Sequence, residues 1–514
     1  MARRLSLQAP VVRAGVLVVL VATAAGLATA LHRTGHTQGD DFALYLRQAR
    51  SVFEGDAAAV VADNRFAVVN SDNGFSPMAY PWGWPLLLSP FVHLWGLDYD
   101  RLKVVEVAVF CSWLLLLHGI VRRRIGRTLA LGVVAVIGTA PLFLAHTDQL
   151  LTEFPHVAAV AVVVWWYDRV RARSRLVEAP WQHLAILGAL VMVAFNMRRE
   201  GLVLIGVIGV MQITELIDRA RTSDARFSEA FAAEIRSRWR LAIVPHASFV
   251  ATLVAFQLLM PTMLLPDNGN SRRYIDNRFG DYPGVLAEHL GVGRHPVAGV
   301  AIILVALVGV VIGVRRRPAQ DGPLFLLALL SAMAIGTHFR MVDRYWFQVT
   351  PWVLYFAAVA VHSAVGAVLA HRATPRRGRF VTLLAAVPLA CLIVAHAATL
   401  TGDIRDVRAF NTAGRVQVGP ANPDVIPVYD AVRTLTPPTA VIAFFRARTM
   451  TLLTDRRSIQ STHLDRIRQR ADYFAQHIGE DYWQPELSTS EARDLGFDVV
   501  WSDDHWILWK LTRP

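Results

Sequence analysis

Residues 39–50 read GDDFALYLRQAR and directly follow the first long apolar segment of the chain. Two adjacent carboxylates, Asp40 and Asp41, open a stretch whose apolar residues recur at helical spacing. That spacing predicts an amphipathic helix, which would lie along a membrane surface and hold both aspartates just outside the lipid. A simpler alternative is that the aspartate before the helix is only its N-cap, accepting backbone N–H groups of the first turn. The predicted apolar stripe consists of Phe42, Tyr45, Leu46, Ala49, Val52 and Phe53.

The composition of the whole chain explains why a membrane surface is expected. Of the 514 residues, 54% are hydrophobic, and many apolar runs approach the ~20 residues that cross a bilayer. The net charge is +12, but the arginines cluster in short loops between apolar runs, which is typical of membrane topology rather than of a nucleic-acid surface. Cys111 and Cys391 lie inside apolar runs and offer neither a disulfide framework nor metal-ligand spacing.

The apolar runs predict a polytopic α-helical membrane protein with about eleven transmembrane helices. Arginine-rich loops alternate along the chain and place the N-terminus in the cytoplasm, with the other polar clusters outside. Residues 218–240 are predicted to form a cytoplasmic surface helix, and the first outer loop to contain interfacial helices. The predicted spans are 11–31, 102–121, 128–145, 154–167, 181–196, 201–217, 241–260, three spans between 297 and 371, and 380–400.

Two domains are predicted, a transmembrane catalytic domain over 1–400 and an extracytoplasmic α/β domain over 401–514, where the composition becomes polar. Within the second domain, 441–445, 498–501 and 506–511 are predicted strands, and 463–477 and 488–495 are predicted helices. Its tryptophans offer aromatic faces to an acceptor glycan, or alternatively pack in the core of the domain. These tryptophans are Trp483, Trp501, Trp506 and Trp509.

Four polar clusters share the predicted outer side of the membrane. Ionisable groups at membrane depth are costly unless paired or solvated, which makes them candidates for function. A carboxylate can take a proton as general base, and an arginine can hold a phosphate bidentately without losing its charge. The alternatives are structural, namely helix caps for the carboxylates and headgroup contacts or ion pairs for the arginines. The clusters are Asp40/Asp41, Asp148/Glu153, Arg198/Arg199/Glu200 and Arg340/Asp343/Arg344/Tyr345.

In their order and common sidedness, these elements resemble the GT-C superfamily of polyprenyl-phosphate-sugar glycosyltransferases, which includes protein O-mannosyltransferases and aminoarabinose transferases. The resemblance covers about residues 15–360, and the C-terminal domain shows a weaker similarity. The similar pieces are the acidic pair before the helix, Tyr80-Pro81-Trp82-Gly83-Trp84-Pro85-Leu86, Thr152-Glu153-Phe154-Pro155, Arg199-Glu200-Gly201 and Arg344-Tyr345.

The resemblance implies an inverting transfer of a sugar from a polyprenyl-phosphate donor to an extracytoplasmic acceptor at the bacterial plasma membrane. The acceptor would be a cell-envelope glycan, a lipid or a protein. Asp40 would be the general base, Asp41 its neighbour or a metal ligand, and Glu153 would position the acceptor or a metal. The donor phosphate would be held by Arg198, Arg199, Arg344 and Tyr345, and the acceptor would be positioned by Asp148, Glu200 and Tyr80.

Two departures from the family pattern leave choices open. The acidic pair is Asp-Asp where Asp-Glu is common, so the choice between Asp40 and Asp41 as base is unresolved. The fourth element reads Arg-Arg-Glu-Gly rather than Arg-Pro-Glu-Gly, so the choice between Arg198 and Arg199 is unresolved too. The one candidate cofactor is a divalent cation (Mg²⁺, Mn²⁺ or Ca²⁺), held by Asp41 and Glu153.

Other functions fit the sequence less well. A membrane transporter or lipid flippase could use intramembrane charges, but such proteins often show paired repeats or broken helices in both halves, and the sequence shows neither. A catalytically inactive envelope scaffold would not explain the clustered acids. The sequence contains no Gly-rich phosphate loop or Walker pattern, which is consistent with a lipid-linked donor rather than a nucleotide.

Overall fold

The structure, a computed structural model, describes residues 2–72, 80–261, 277–338, 342–371, 377–479 and 483–512. The chain is almost entirely helical up to residue 412, with short 3₁₀ turns at Leu176–Glu178, Arg199–Leu202, Asp343–Gln348 and Leu369–His371. The helices are α1 (Ala2–Ala30), α2 (Asp41–Glu54), α3 (Ala57–Asn70), α4 (Gly83–Trp95), α5 (Tyr99–Ile125), α6 (Arg127–Thr139), α7 (Pro141–His146), α8 (Glu153–Arg171), α9 (Trp181–Met197), α10 (Val203–Arg221), α11 (Phe227–Leu259), α12 (Tyr282–His289), α13 (Pro296–Arg316), α14 (Pro318–Gly336), α15 (Thr350–Val368) and α16 (Arg377–Thr412).

The predicted multi-pass helical architecture is confirmed. In the described part of the chain, seven helices are long and apolar enough to cross a membrane, namely α5, α10 with its preceding turn, α11, α13, α14, α15 and α16. Three shorter apolar helices, at Gly15–Ala30, Arg127–Thr139 and Trp181–Met197, join them in the bundle. These lengths do not confirm the predicted number of eleven spans.

Three predicted boundaries differ from the structure. The span over 128–145 is broken at Ala140, since Pro141 suits the first position of a new helix but not a helix interior. The surface helix over 218–240 and the following span are largely one helix, α11, which continues through Pro245. The domain boundary predicted at 400/401 falls inside α16, because a rise in polarity by itself does not end a helix.

The C-terminal region folds as the predicted small α/β domain. Its sheet has the order β2-β1-β3-β5-β4, with β1 parallel to β2 and β3, and β5 antiparallel to β3 and β4. The elements are α17 (Ile426–Leu435), β1 (Val441–Ala443), α18 (Ala447–Thr454), β2 (Arg457–Ile459), α19 (Leu464–Arg470), β3 (Tyr473–His477), α20 (Thr489–Asp494), β4 (Asp498–Ser502) and β5 (Trp506–Lys510).

The helix predicted over 463–477 is wrong in its second half. Residues 464–470 are helical, but 473–477 form β3, the central strand of the sheet. Both faces of this strand are covered, so its residues are buried in succession and show no alternation of apolar and polar side chains. A short apolar run of this kind looks the same in a buried strand and in a buried helix.

The predicted amphipathic helix is confirmed as α2, but its apolar stripe lies inside the protein rather than on lipid. Phe42 and Leu46 are buried together with Trp84 of α4 and Leu452 of α18, whereas Phe53 at the end of the stripe is exposed. This packing gives α2 one neighbour, α4, from the N-terminal part of the chain and one, α18, from the C-terminal domain. The acidic pair is thereby held at the junction of the two domains.

Backbone pairing fixes the segment that precedes the acidic pair. The N–H of Gln38 donates to the carbonyl of Val418, and the N–H of Gln417 donates to the carbonyl of Thr34, both at 2.9 Å. Gly419 lies so close to the His36 carbonyl that a Cβ atom there would overlap it. The loop after α16 therefore sets the position at which Asp40 enters the site.

Candidate active site

Glu153 is the centre of an ion cluster at the first residue of α8. Its Oε1 atom accepts from Arg198 Nη1 at 2.9 Å and from Arg344 Nε at 2.7 Å. Arg198 also donates to Glu200 Oε1 at 2.8 Å. The ring of Tyr345 contacts both guanidinium groups, with its centroid 4.7 Å from Arg198 Cζ and 5.6 Å from Arg344 Cζ. The third, fourth and fifth family-like elements are therefore in mutual contact.

The local backbone explains how Arg198 reaches this cluster. Arg198 is extended and links α9 to the 3₁₀ turn at Arg199–Leu202. The turn folds back on α9 so tightly that a Cβ at Gly201 would lie 2.6 Å from the backbone carbon of Ala194. Glycine at this position permits the approach. Arg198, rather than Arg199, makes the ion pairs to Glu153 and Glu200.

Asp41 joins the cluster from α2. Its Oδ2 atom lies 3.7 Å from Arg344 Nη2, and its Oδ1 accepts a hydrogen bond of 2.5 Å from the hydroxyl of Tyr80. Burial and the neighbouring negative charge of Asp41 raise the pKa of Tyr80 well above its ordinary value, so this hydroxyl remains a donor. The side chain of Asp41 is 40% exposed, which leaves it accessible to solvent.

Asp40 does not act as a simple helix cap. It occupies the N-cap position of α2, but its side chain makes no capping hydrogen bond. Its Oδ1 instead accepts from the backbone N–H of Arg448 at 3.0 Å, and Arg446 Nη1 lies 3.9 Å from Oδ2. Burial raises the pKa of the Asp40 carboxyl, while the positive charges of Arg448 and Arg446 oppose that rise.

Arg448 is a site residue that sequence reasoning missed. Its buried guanidinium donates to Asn64 Oδ1 at 2.8 Å and to the Tyr80 hydroxyl at 3.3 Å, and it lies 3.9 Å from Asp41 Oδ1. Thr449 adds a hydrogen bond of 2.7 Å to the carbonyl of Gly39. The available signal was the position of these residues directly after the predicted strand 441–445, because loops after strands of α/β domains often form sites.

The remaining predicted residues lie elsewhere or in other pairs. Asp148 accepts from the fully buried Lys103 at 2.7 Å and from Gln417 at 3.1 Å, and burial raises its pKa to about 6. These contacts brace the loop before Asp40 rather than the Glu153 cluster. Asp343 pairs with Arg294 at 3.0 Å and not with Arg344. Arg340 lies outside the described residues.

The tryptophans of the C-terminal domain divide into two kinds. Trp506 and Trp509 are buried in the core, and Trp501 is partly buried against it, so they do not present faces to a glycan as one alternative predicted. Trp483 is different, since it is 46% exposed and its ring centroid lies 5.6 Å from Arg446 Cζ.

Asp41 and Glu153, the predicted metal ligands, are not arranged as a metal-binding site in this structure. Asp41 and Glu153 both face arginines, and the described part of the chain contains no group of three His, Cys, Asp or Glu side chains placed to hold a metal ion.

Comparison with known proteins identifies the fold. No protein-family model and no curated protein sequence matches the chain. Among solved structures, ArnT from Cupriavidus metallidurans bound to undecaprenyl phosphate aligns over 96% of this chain and 98% of its own, with a TM-score of 0.53 and 14% identity. The same protein in the apo state gives a TM-score of 0.55 at 12% identity, with the same coverage.

A third solved structure is longer than this chain. The oligosaccharyltransferase of Archaeoglobus fulgidus in the apo form aligns over 86% of this chain and 64% of its own, with a TM-score of 0.52 and 12% identity. At such identities the likeness concerns the fold. Because the ArnT alignment covers almost the whole of this chain, the helical region and the C-terminal domain together have the fold of that solved structure.

Proposed function

We propose that this protein is an inverting glycosyltransferase that moves a sugar from a polyprenyl-phosphate donor to an extracytoplasmic acceptor. The observation that carries the proposal is the convergence of Asp41, Glu153, Arg198 and Arg344, which come from four distant segments and are joined by contacts of 2.7–3.7 Å. The ArnT structure of the same fold is described with undecaprenyl phosphate bound, which supports a lipid-linked donor.

Arg198, Arg344 and Tyr345 form the donor side of the proposed site. In the structure the two guanidinium groups are held by Glu153, but each keeps part of its surface exposed. As the sugar leaves, the electron pair of the breaking C–O bond stays on the phosphate oxygen. Fixed guanidinium groups stabilise that charge without having to reorganise in the transition state.

Asp40 and Asp41 form the acceptor side. An acceptor hydroxyl oxygen bonds to the anomeric carbon on the face opposite the phosphate, and its proton passes to a carboxylate and then to solvent. The family resemblance favours Asp40 as the base, although its side chain is only 10% exposed. Solvent access favours Asp41, whose side chain is 40% exposed. Replacing each aspartate separately by asparagine distinguishes them, since loss of the base should cost about 10²–10⁴-fold in rate.

The experiment that tests the proposal combines genetics with mass spectrometry. A strain lacking this chain should accumulate a lipid-linked sugar and show a truncated envelope component, and the wild-type chain should restore both. Asp40→Asn and Asp41→Asn chains, shown to be folded by their melting in detergent, should differ in this restoration. Undiminished transfer by both variants would contradict the proposal, as would uptake by proteoliposomes without cleavage of a lipid-linked donor.

A further inference from the structure

We infer that Arg446 and Trp483 form an acceptor subsite for a sugar ring, so that the acceptor of the proposed reaction is a glycan. This inference rests on the proposed function and extends it to the class of acceptor. It comes from what surrounds Asp40, from the exposure of Trp483 and from the unused hydrogen-bonding capacity of Arg446.

The position of the acceptor follows from the position of the acidic pair. A general base must lie within hydrogen-bond reach of the hydroxyl whose proton it takes. The groups that approach the Asp40 carboxylate come from the C-terminal domain. The backbone N–H of Arg448 lies 3.0 Å from Oδ1, and Arg446 Nη1 lies 3.9 Å from Oδ2. The donor-side arginines contact Glu153, and Arg344 also lies 3.7 Å from Asp41. An acceptor that reaches Asp40 is therefore bounded by the C-terminal domain.

Arg446 has donors to offer such an acceptor. Among the described residues, Asp40 is its one carboxylate neighbour within 4 Å, and the separation of 3.9 Å is longer than a hydrogen bond. The guanidinium instead lies against aromatic rings, with Cζ 5.8 Å from the centroid of Phe445 and 5.6 Å from that of Trp483. Guanidinium N–H groups with no acceptor in the described protein suit the hydroxyl oxygens of a sugar.

Trp483 supplies the second half of the recognition. Trp506 and Trp509 are buried in the core of this domain, whereas Trp483 is 46% exposed beside Arg446. The C–H face of a pyranose or furanose ring packs on an indole face, while its hydroxyls project toward the rim, where the guanidinium lies. An acyl chain would use the indole but not the guanidinium, so the pair favours a glycan over a lipid acceptor.

The test measures the KM for each substrate separately. The full-length protein in detergent is given lipid-linked sugar and envelope glycan, both extracted from the strain that lacks this chain. Trp483→Ala and Arg446→Gln should each raise the KM for the glycan by about tenfold, the effect of removing one well-placed interface side chain. The KM for the lipid-linked donor should stay as in the wild type, because neither residue contacts the Glu153 cluster.

Conservative variants and a matched control complete the design. Trp483→Phe and Arg446→Lys should recover part of the affinity, which a merely unfolded domain would not allow. Arg433→Gln changes an exposed arginine of α17 that pairs with Asp430, and should leave both KM values unchanged. Wild-type KM values for the glycan in Trp483→Ala and Arg446→Gln, or transfer by the wild type to a lipid or protein fraction only, would overturn the inference. No transfer by the wild type to any fraction would overturn the proposed function itself.

Discussion

Helix α8 carries an ion cluster at each end, and the two clusters differ in how closed they are. At its first residue, Glu153 pairs with Arg198 and Arg344. Near its last residues, Asp168 receives two hydrogen bonds of 2.7 Å from Arg124, which also lies 3.6 Å from Asp321. Carboxylates and arginines are used at both ends, and Glu153 and Asp168 lie about 22 Å apart along the helix axis.

The difference lies in solvent access. At the Asp168 end, the Arg124 side chain is 1% exposed, and Asp321 accepts from the Tyr355 hydroxyl at 2.7 Å in a fully buried position. At the Glu153 end, Arg344 is 20% exposed and its neighbour Asp41 is more exposed still. A closed cluster can only hold helices α5, α8 and α14 together. An open one can exchange a carboxylate partner for a phosphate.

The largest expected effect comes from breaking the closed cluster. Arg124→Gln should destabilise the protein by about 3–5 kcal/mol, because Asp168 would be left buried without its compensating charge, whereas Asp321 would keep Arg317 at 3.0 Å. The measurement is thermal or urea unfolding of the purified chain in detergent. The double variant Arg124→Met/Asp168→Leu should recover much of the loss, and a single variant within about 1 kcal/mol of wild type would refute the bracing role.

Breaking the open cluster should affect activity more than stability. Arg344→Gln should lower the transfer rate by about 10²–10³-fold, the usual cost of removing one group that stabilises developing charge. Its melting temperature should fall less than that of Arg124→Gln, since Arg198 still pairs with Glu153. Equal losses of stability in Arg124→Gln and Arg344→Gln, together with a wild-type transfer rate in folded Arg344→Gln, would contradict the proposed difference between the two ends of α8.

Arg448→Lys should produce an intermediate loss of transfer rate without a shift in its pH dependence. The guanidinium contacts to Asn64 and Tyr80 would be lost, at a cost of roughly ten- to a hundredfold in rate, since hydrogen bonds to charged groups contribute about 1.5–3 kcal/mol. The lysine keeps the positive charge, so its pH profile should resemble that of wild type.

Arg448→Met removes that charge and gives the informative contrast. If Asp40 is the base, it must be ionised to accept a proton, so activity falls as the pH drops through its raised pKa. Loss of a neighbouring cation favours the neutral carboxyl and raises the pKa further, which moves the acidic limb of the rate profile to higher pH. An unmoved limb, or one at lower pH, would argue against Asp40 as base.

The smallest effect is expected for an exposed pair outside both clusters. Arg433 donates to Asp430 at 2.7 Å on α17, and both side chains are at least half exposed. Arg433→Gln should change the free energy of unfolding by no more than about 1 kcal/mol, because solvent screens such pairs. A larger loss of unfolding free energy would show that a short distance between the charges, rather than their burial, determines how strongly these ion pairs stabilise the protein.

The sequence predicts those parts of the site that are encoded locally. The periodicity of residues 41–54 predicts α2, and the positions of Glu153, Arg198 and Arg344 at the ends of apolar runs place them on one side. The partner of each charged residue is not encoded locally. Asp40 contacts Arg448, and Asp148 contacts Lys103, through packing between segments that share no pattern, which is also why Arg198 and Arg199 were not distinguishable.

The contact between Asp40 and Arg448 also has a consequence for biogenesis. The two residues are separated by 408 positions, so at ~5–20 residues per second a ribosome needs roughly 20–80 s after Asp40 to deliver its partner. Throughout that interval Asp40 lacks the Arg448 N–H from which it accepts in the folded protein. If the proposed transfer needs this contact, a message truncated before the Arg448 codon would yield an inserted but inert protein.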